Sequence, residues 1–188
     1  MRLSMLKYIN YYSKECEKRK VKKLYYSAFP KVERCPYSIL KSRVKQGKGE
    51  FLSIYEENNF VGLIYNIVYL DIVYIYYFAI DEHLRNKGYG SKILDDIKLM
   101  YKDKRIILMA ESIDENASNY QERVNRGMFY LKNGFYHQGY TVSELDVCYD
   151  MLGCSNVVSK TEFRELIKNY FGNFFYNKVY VKISDIKE

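Results

Sequence analysis

A nine-residue run, IVYIYYFAI from Ile72 to Ile80, constrains this chain more than any other stretch. Successive side chains of a strand point to opposite faces, so a run that is apolar or aromatic throughout has to be covered on both sides. The segment therefore reads as the centre of a sheet, and the rest of the chain has to supply a layer for each face. Just before it, EFLSIYEE and FVGLIYNIVYL are rich in β-branched and aromatic residues and are separated by turns at Glu57-Asn58-Asn59 and near Asp71. These three segments predict an antiparallel meander.

Beyond the central run the hydrophobic period changes. After LRNKGYGSKIL, the stretch SKILDDIKLMYKD places Ile93, Leu94, Ile97, Met100 and Tyr101 on one helical face, and RIILMA returns as a short buried strand. Strand, loop, helix and strand make a βαβ unit, so this part of the sheet is expected to be parallel. Ser118 and Gln121 read as a capping box for a second helix that ends at Gly134, with its apolar stripe along Tyr120, Val124, Gly127, Met128 and Leu131. FYHQGYTV and LDVCYDML come next as closing strands, and Thr161 to Tyr176 as a C-terminal helix.

On the N-terminal side, Ser13 to Phe29 has helical character. The loop FPKVERCPY holds the only two prolines, and a short helix from about Tyr37 to Lys45 ends at Gly47-Lys48-Gly49, a turn without the spacing of a phosphate loop. The expected class is α/β (α+β): a mixed, mostly antiparallel sheet flanked by helices, with one parallel pair. Residues 1–154 are read as one domain whose first 49 residues are an N-terminal helical segment. Residues 155–188 are read as a C-terminal extension, docked on that domain or on a second subunit.

Charge and cysteine usage narrow the function classes. The net charge of +7 suits an anionic ligand, but much of the excess lies in KECEKRKVKK (Lys14 to Lys23), whose alternation reads as a solvated helix face. A nucleic-acid partner would rest on that charge alone and is not expected. The four cysteines form no CxxC pair and the only histidines are His83 and His137, so no metal site is expected. With no apolar run near the ~20 residues that span a bilayer and no secretory pattern, no membrane partner is expected either. The reading is a cytoplasmic protein with reduced thiols, either a monomer or a homodimer.

The stretch from Leu84 to Leu94 carries the chemistry. A helix starts with backbone N–H groups that have no intrahelical partner and with the positive end of its dipole, so it attracts anions. Gly88 and Gly90 would let the backbone approach a phosphate closely, and Arg85 and Lys87 add positive charge beside it. The third glycine of a dinucleotide fingerprint is absent.

FAIDEHLRNKGYGSKIL resembles motif A of the GCN5-related N-acetyltransferases (GNAT), whose Arg/Gln-x-x-Gly-x-Gly/Ala signature is met by Arg85, Gly88 and Gly90. NRGMFYLKNGF, Asn125 to Phe135, is similar to motif B of that family. The resemblance extends from about Glu50 to Asp150. It implies a GNAT-like sheet whose parallel strands splay apart at the cofactor site. It also implies acetyl-coenzyme A as cosubstrate, with its pyrophosphate held by the loop of Arg85, Asn86, Lys87, Gly88, Tyr89, Gly90 and Ser91. The pantetheine would lie along the backbone of Phe78, Ala79 and Ile80, where a backbone N–H would also stabilise the oxyanion.

By the same resemblance, Tyr130 is the acid that protonates the departing thiolate; Arg126 and Arg123, on the same flank of the helix, are expected to favour its phenolate and make it a better acid. Where the family commonly has an asparagine this chain has Arg123, so Asn119 or Asn125 is expected to take over that cofactor contact. Glu111, at the end of RIILMAE, is the expected base, with His83 as a chemical alternative on the phosphate side. Glu33, Arg34 and Tyr37 are candidate acceptor-binding residues. The expected activity is transfer of an acetyl group to a primary amine of a small molecule or peptide through a ternary complex. The alternative is an acyl-coenzyme A sensor without turnover.

Overall fold

The computed structural model describes residues 5–144, 147–173, 176 and 180–185. Strands β1 (Leu6–Asn10), β2 (Gly49–Glu56), β3 (Asn59–Tyr69), β4 (Ile72–Ile80), β5 (Arg105–Glu111), β6 (Tyr136–Glu144), β7 (Val147–Gly153) and β8 (Tyr180–Asp185) form one sheet in the order β1-β2-β3-β4-β5-β7-β6-β8. Helices α1 (Lys18–Ala28), α2 (Tyr37–Lys45), α3 (Tyr89–Met100), α4 (Tyr120–Lys132) and α5 (Lys160–Phe171) flank it. The sheet is mostly antiparallel, and β4 and β5, joined through α3, are its parallel pair. The chain divides into two compact units, residues 1–68 with 75–100 and residues 69–74 with 101–188.

In the first unit, β3 is buried without a break from Phe60 to Ile67. In β4, burial is complete only from Ile72 to Ile75, after which Tyr76, Phe78 and Ile80 are half-buried while Tyr77 and Ala79 stay buried. The second half of the central run thus has one less covered face than its composition predicts. Gly62 explains the close approach of β3 to this end: a Cβ there would lie 2.4 Å from the carbonyl oxygen of Ala79. The N–H of Asp81 continues the contact by donating to the Val61 carbonyl at 2.9 Å.

The first strand lies in a stretch with no strand signal of its own, and it pairs antiparallel with β2 from Leu6 opposite Glu56 to Asn10 opposite Leu52. Helix α1 starts at Lys18 and not at Ser13, because Ser13 to Glu17 form turns after β1 and the Glu17 N–H donates to the Tyr55 hydroxyl at 3.0 Å. Its buried residues, Val21, Leu24 and Tyr25, form one stripe, and its lysines face water. The loop after α1 is pinned to β4. Tyr77 accepts from the Cys35 N–H at 2.8 Å and donates to the Glu33 carbonyl at 2.9 Å, while the Tyr25 hydroxyl donates to the Cys35 carbonyl at 2.6 Å.

In the second unit β7 pairs antiparallel with both β5 and β6, and β8 pairs with β6. The C-terminal residues therefore contribute a strand as well as a helix to this unit. Helix α5 buries Phe163, Leu166, Ile167 and Tyr170, the i, i+3, i+4, i+7 spacing of a single face. It ends at Phe171, with Gly172 at φ +83° as its C-cap; Asn173 and Tyr176 are again helical, the Tyr176 N–H donating to the Gly172 carbonyl at 3.1 Å, and residues 174 and 175 of the expected helix, like Leu145 and Asp146 of the expected strand, lie outside the described residues.

Candidate functional site

The glycine loop belongs to the first unit. Asp81 caps a short 3-10 turn (Glu82–Leu84) by accepting from the His83 N–H at 3.1 Å, and Arg85 folds back so that its Nε donates to the Ile80 carbonyl at 3.3 Å. Asn86 and Gly88 then take positive φ values of +60° and +87°. Asparagine tolerates that region better than other residues with a side chain, and glycine adopts it freely.

The carbonyl of Gly88 accepts from the Lys92 N–H at 3.1 Å, so Gly88 stands at the N-cap of α3. It has no side chain to satisfy the first helical N–H groups, and the first turn of α3 contains no acidic residue. The donors of Tyr89, Gly90 and Ser91 are thus presented at the positive end of the helix, beside the exposed Arg85, Asn86 and Lys87. Helix α3 is held in place by its own side chains. Tyr89, Ile93, Leu94 and Ile97 are buried, whereas Met100 is exposed and ends the expected stripe early. The Tyr89 hydroxyl donates to the Glu56 carboxylate, a bond that raises the phenol's pKa. Lys92 pairs with Asp96, which also accepts from the Tyr8 hydroxyl at 2.9 Å.

The residues read as an acceptor wall are in the same unit. Arg34 lies over the Tyr26 ring, 4.8 Å from its centroid, and Glu33 is part of the loop held by Tyr77. Tyr37 is buried in α2, and its hydroxyl has no hydrogen-bond partner of normal geometry among the described residues. Burial, with the phenol of Tyr11 next to it, pushes the Tyr37 pKa far up. His83 is exposed, with the Glu82 carboxylate 3.6 Å from its ring.

The second unit holds Glu111, Asn119 and Tyr130. Glu111 ends β5 with a side chain only 9% exposed, and its carboxylate meets the Arg123 guanidinium at 3.0 Å and that of Arg126 at hydrogen-bonding distance. The Asn119 amide lies 3.3 Å from both carboxylate oxygens, and its own carbonyl accepts from the Arg123 Nε at 2.8 Å. Arg123 also donates to the Ser112 carbonyl at 2.9 Å. These bonds fasten the first two turns of α4 to the end of β5. The array continues from the Ser112 hydroxyl to Asp150 at 2.6 Å, and Asp150 lies 3.4 Å from the His137 ring.

Two expectations for α4 need correction. Ser118 and Gln121 form no capping box: Asn119 is the N-cap, its side chain is taken up by Glu111 and Arg123, and the Gln121 amide donates to Asn125 at 3.1 Å. The stripe of Tyr120, Val124, Gly127, Met128 and Leu131 is not a core face, since Met128 and Leu131 are 57% and 56% exposed. The helix is fixed by charge where its periodicity suggested apolar packing.

The end of α4 agrees with the expectation: Gly134 has φ +78°, and the Phe135 N–H returns to the Tyr130 carbonyl at 3.0 Å, so Phe135 enters the core under the helix. The Tyr130 ring stands 6.0 Å from that of Phe135. Burial raises the Tyr130 pKa and the charge of Arg126 opposes the shift, with a net upward result. The expectation that nearby cations favour its phenolate thus holds in sign for Arg126 but is outweighed by desolvation. The arginine clamp on Glu111 has no sequence signal, because nothing in the spacing of Arg123 and Arg126 says which carboxylate they face.

Comparison with known proteins bears on this arrangement. Residues 47–137 match the family model described as an acetyltransferase (GNAT) domain. No curated protein matches the chain by sequence. Among solved structures, a GNAT-family acetyltransferase from Bacteroides thetaiotaomicron is similar over 90% of this chain and 99% of its own, with TM-score 0.69 and 20% identity. A chimera of the Vibrio cholerae spermidine N-acetyltransferase SpeG with hSSAT covers 85% of this chain and 99% of its own, with TM-score 0.61 and 14% identity. A Bacillus subtilis acetyltransferase in complex with coenzyme A covers 81% and 100%, with TM-score 0.57 and 17% identity. At these identities the likeness is one of fold. The matched segment encloses the glycine loop, α3, β5 and α4, so residues 47–137 carry a match to the GNAT acetyltransferase domain, and the chain shares the fold of those solved structures.

Proposed function

We propose that the protein is an acyl-coenzyme A-dependent N-acetyltransferase that moves an acetyl group from acetyl-coenzyme A to a primary amine. The observation that carries this reading is the loop itself: Gly88, at φ +87°, caps α3 without a side chain and leaves the Tyr89, Gly90 and Ser91 donors beside Arg85 and Lys87. That is a cradle for a diphosphate. The pantetheine arm runs along Phe78, Ala79 and Ile80, the stretch of β4 where one face loses its cover. The coenzyme A complex of the Bacillus subtilis relative supports the choice of cosubstrate.

In the reaction the amine nitrogen attacks the thioester carbonyl and the oxyanion that forms is met by a backbone N–H of Ala79 or Ile80. The C–S bond then breaks, and the thiolate takes a proton from the Tyr130 hydroxyl. For Glu111 the geometry favours positioning over proton abstraction. Its carboxylate already accepts from Arg123 and Arg126, and taking the amine's proton would cost one of those bonds. The amine then loses its proton to water, and water returns one to the Tyr130 phenolate. Asn119, held by Glu111 and Arg123, orients α4. Glu33, Arg34 and Tyr37 remain the acceptor-side candidates, and the protein acts in the cytoplasm as a monomer or homodimer.

The test is release of free thiol from acetyl-coenzyme A by the purified protein with a panel of amines. Amine-dependent release supports the transferase. Tight coenzyme A binding without release from any amine would replace it with the sensor.

A further inference from the structure

The N-terminal segment carries more positive charge than the whole chain. Between Lys14 and Lys48 there are twelve Lys and Arg residues and three Glu, a net of +9 against +7 overall. The remainder of the molecule is therefore slightly acidic, and the positive excess is a local feature of α1, α2 and the loop between them.

These cations are gathered on one aromatic platform. The Tyr11 ring touches those of Tyr12 at 5.3 Å and Tyr37 at 6.0 Å, and Tyr37 in turn touches Tyr26 at 6.0 Å. Over these four linked rings stand Lys18, Lys22, Lys41 and Lys45, each 5.5 to 5.9 Å from a centroid, with Arg34 closer at 4.8 Å. None of the four lysines makes an ion pair among the described residues. Ring faces hold a cation weakly and leave its charge unneutralised, so the platform gathers like charges that repel one another. Beneath them the Tyr37 hydroxyl is buried, with the Tyr11 phenol next to it. Arg34, over the Tyr26 ring, belongs to the loop tied to Tyr77, the residue of β4 next to Phe78.

We propose that this platform receives the acidic part of the acceptor, so that the amine acetylated by the protein belongs to an acidic peptide. The inference rests on the transferase reading and adds the acceptor's chemistry to it. Carboxylates fit what is there: several cations held apart on rings, four of them lysines with no ion-pair partner among the described residues. Bases of a single-stranded nucleic acid would need open ring faces to stack on. Tyr11 and Tyr37 are each only 7% exposed, and Tyr12 and Tyr26, at 38% and 46%, have cations over them. A polyamine acceptor, suited to the spermidine N-acetyltransferase relative, would meet repulsion here.

Fluorescence anisotropy with a labelled peptide of alternating Glu and Gly tests the proposal, against the same peptide with Gln or Lys in place of Glu and a single-stranded oligonucleotide. The acidic peptide should bind at least ~10-fold more tightly than the Gln peptide at low salt, and added salt should erase the difference. The combined Lys18→Gln, Lys22→Gln, Lys41→Gln and Lys45→Gln variant should lose the preference while binding coenzyme A as before. Equal or tighter binding of the Gln or Lys peptide, or of the oligonucleotide, would overturn the proposal, and the wild-type comparison stands even if the variant does not fold. Thiol release separates the two readings. Binding of the acidic peptide without turnover of any amine would leave the platform and remove the transferase, whereas turnover of other amines with no binding of the acidic peptide would do the reverse.

Discussion

At the smallest scale, three residues matter out of proportion to their size. Gly88 combines a positive φ with a position at the helix N-cap, so Gly88→Asp adds both backbone strain and a negative charge beside the diphosphate. We expect it to weaken coenzyme A binding at least ~10-fold in a folded protein, read by calorimetry. Gly62 works at one remove, because a Cβ there would collide with the Ala79 carbonyl. Gly62→Ala should lower stability by about 1–3 kcal/mol, measured by denaturant unfolding, and an unchanged midpoint would show that β3 can move aside. Tyr130→Phe keeps the ring against Phe135 and removes only the proton. Its kcat should fall by roughly 100-fold with little change in coenzyme A affinity, and wild-type turnover would exclude Tyr130 as the acid.

Elements are held here by two different forces. Helix α5 is fixed by apolar packing and by its capping box, in which the Ser159 hydroxyl accepts from the Glu162 N–H at 3.3 Å and Glu162 accepts from the Ser159 N–H at 2.8 Å. Glu162 also meets Arg105 at 2.6 Å, and that hydrogen bond above all holds its pKa down at about 2, against 4.5 for a free side chain. A depressed carboxylate pKa contributes stability that is fully present above the unfolded value and is lost as pH falls through the folded one. The melting temperature should therefore decline between about pH 4.5 and pH 2, and Glu162→Gln should flatten that decline. A variant with the wild-type slope would exclude Glu162 as its source.

Helix α4 shows why some elements cannot be read ahead. Its Gly134-Phe135 end is legible, since a helix that stops at a left-handed glycine and drops an aromatic into the core has a local signature. Its packing is not legible, because the partner of Arg123 and Arg126 is a glutamate on β5, fixed by tertiary structure. Likewise β1, five residues long and carrying Lys7 and Asn10, has no periodicity to mark it and forms by adding to the edge of β2. The long apolar runs β3 and β4 and the amphipathic α3 are readable because burial writes itself into composition.

For the molecule as a whole, two properties stand apart from any single contact. One is the fold: an antiparallel meander that turns parallel across α3, which puts a glycine loop at the end of a buried strand. The family match covers residues 47–137, which include that loop. The other is the distribution of charge, concentrated between Lys14 and Lys48 and invisible in the total of +7. The cradle is legible in Arg85, Gly88 and Gly90 because phosphate binding by backbone donors demands glycine and cations locally. The acceptor is not, because its recognition uses lysines that a sequence shows only as a solvated face. Calorimetric titration with coenzyme A and with pantetheine, which shares the arm but lacks the diphosphate, tests the cradle most directly. Coenzyme A should bind, and pantetheine at least ~100-fold more weakly; equal affinity for the two would show that the loop does not hold the diphosphate.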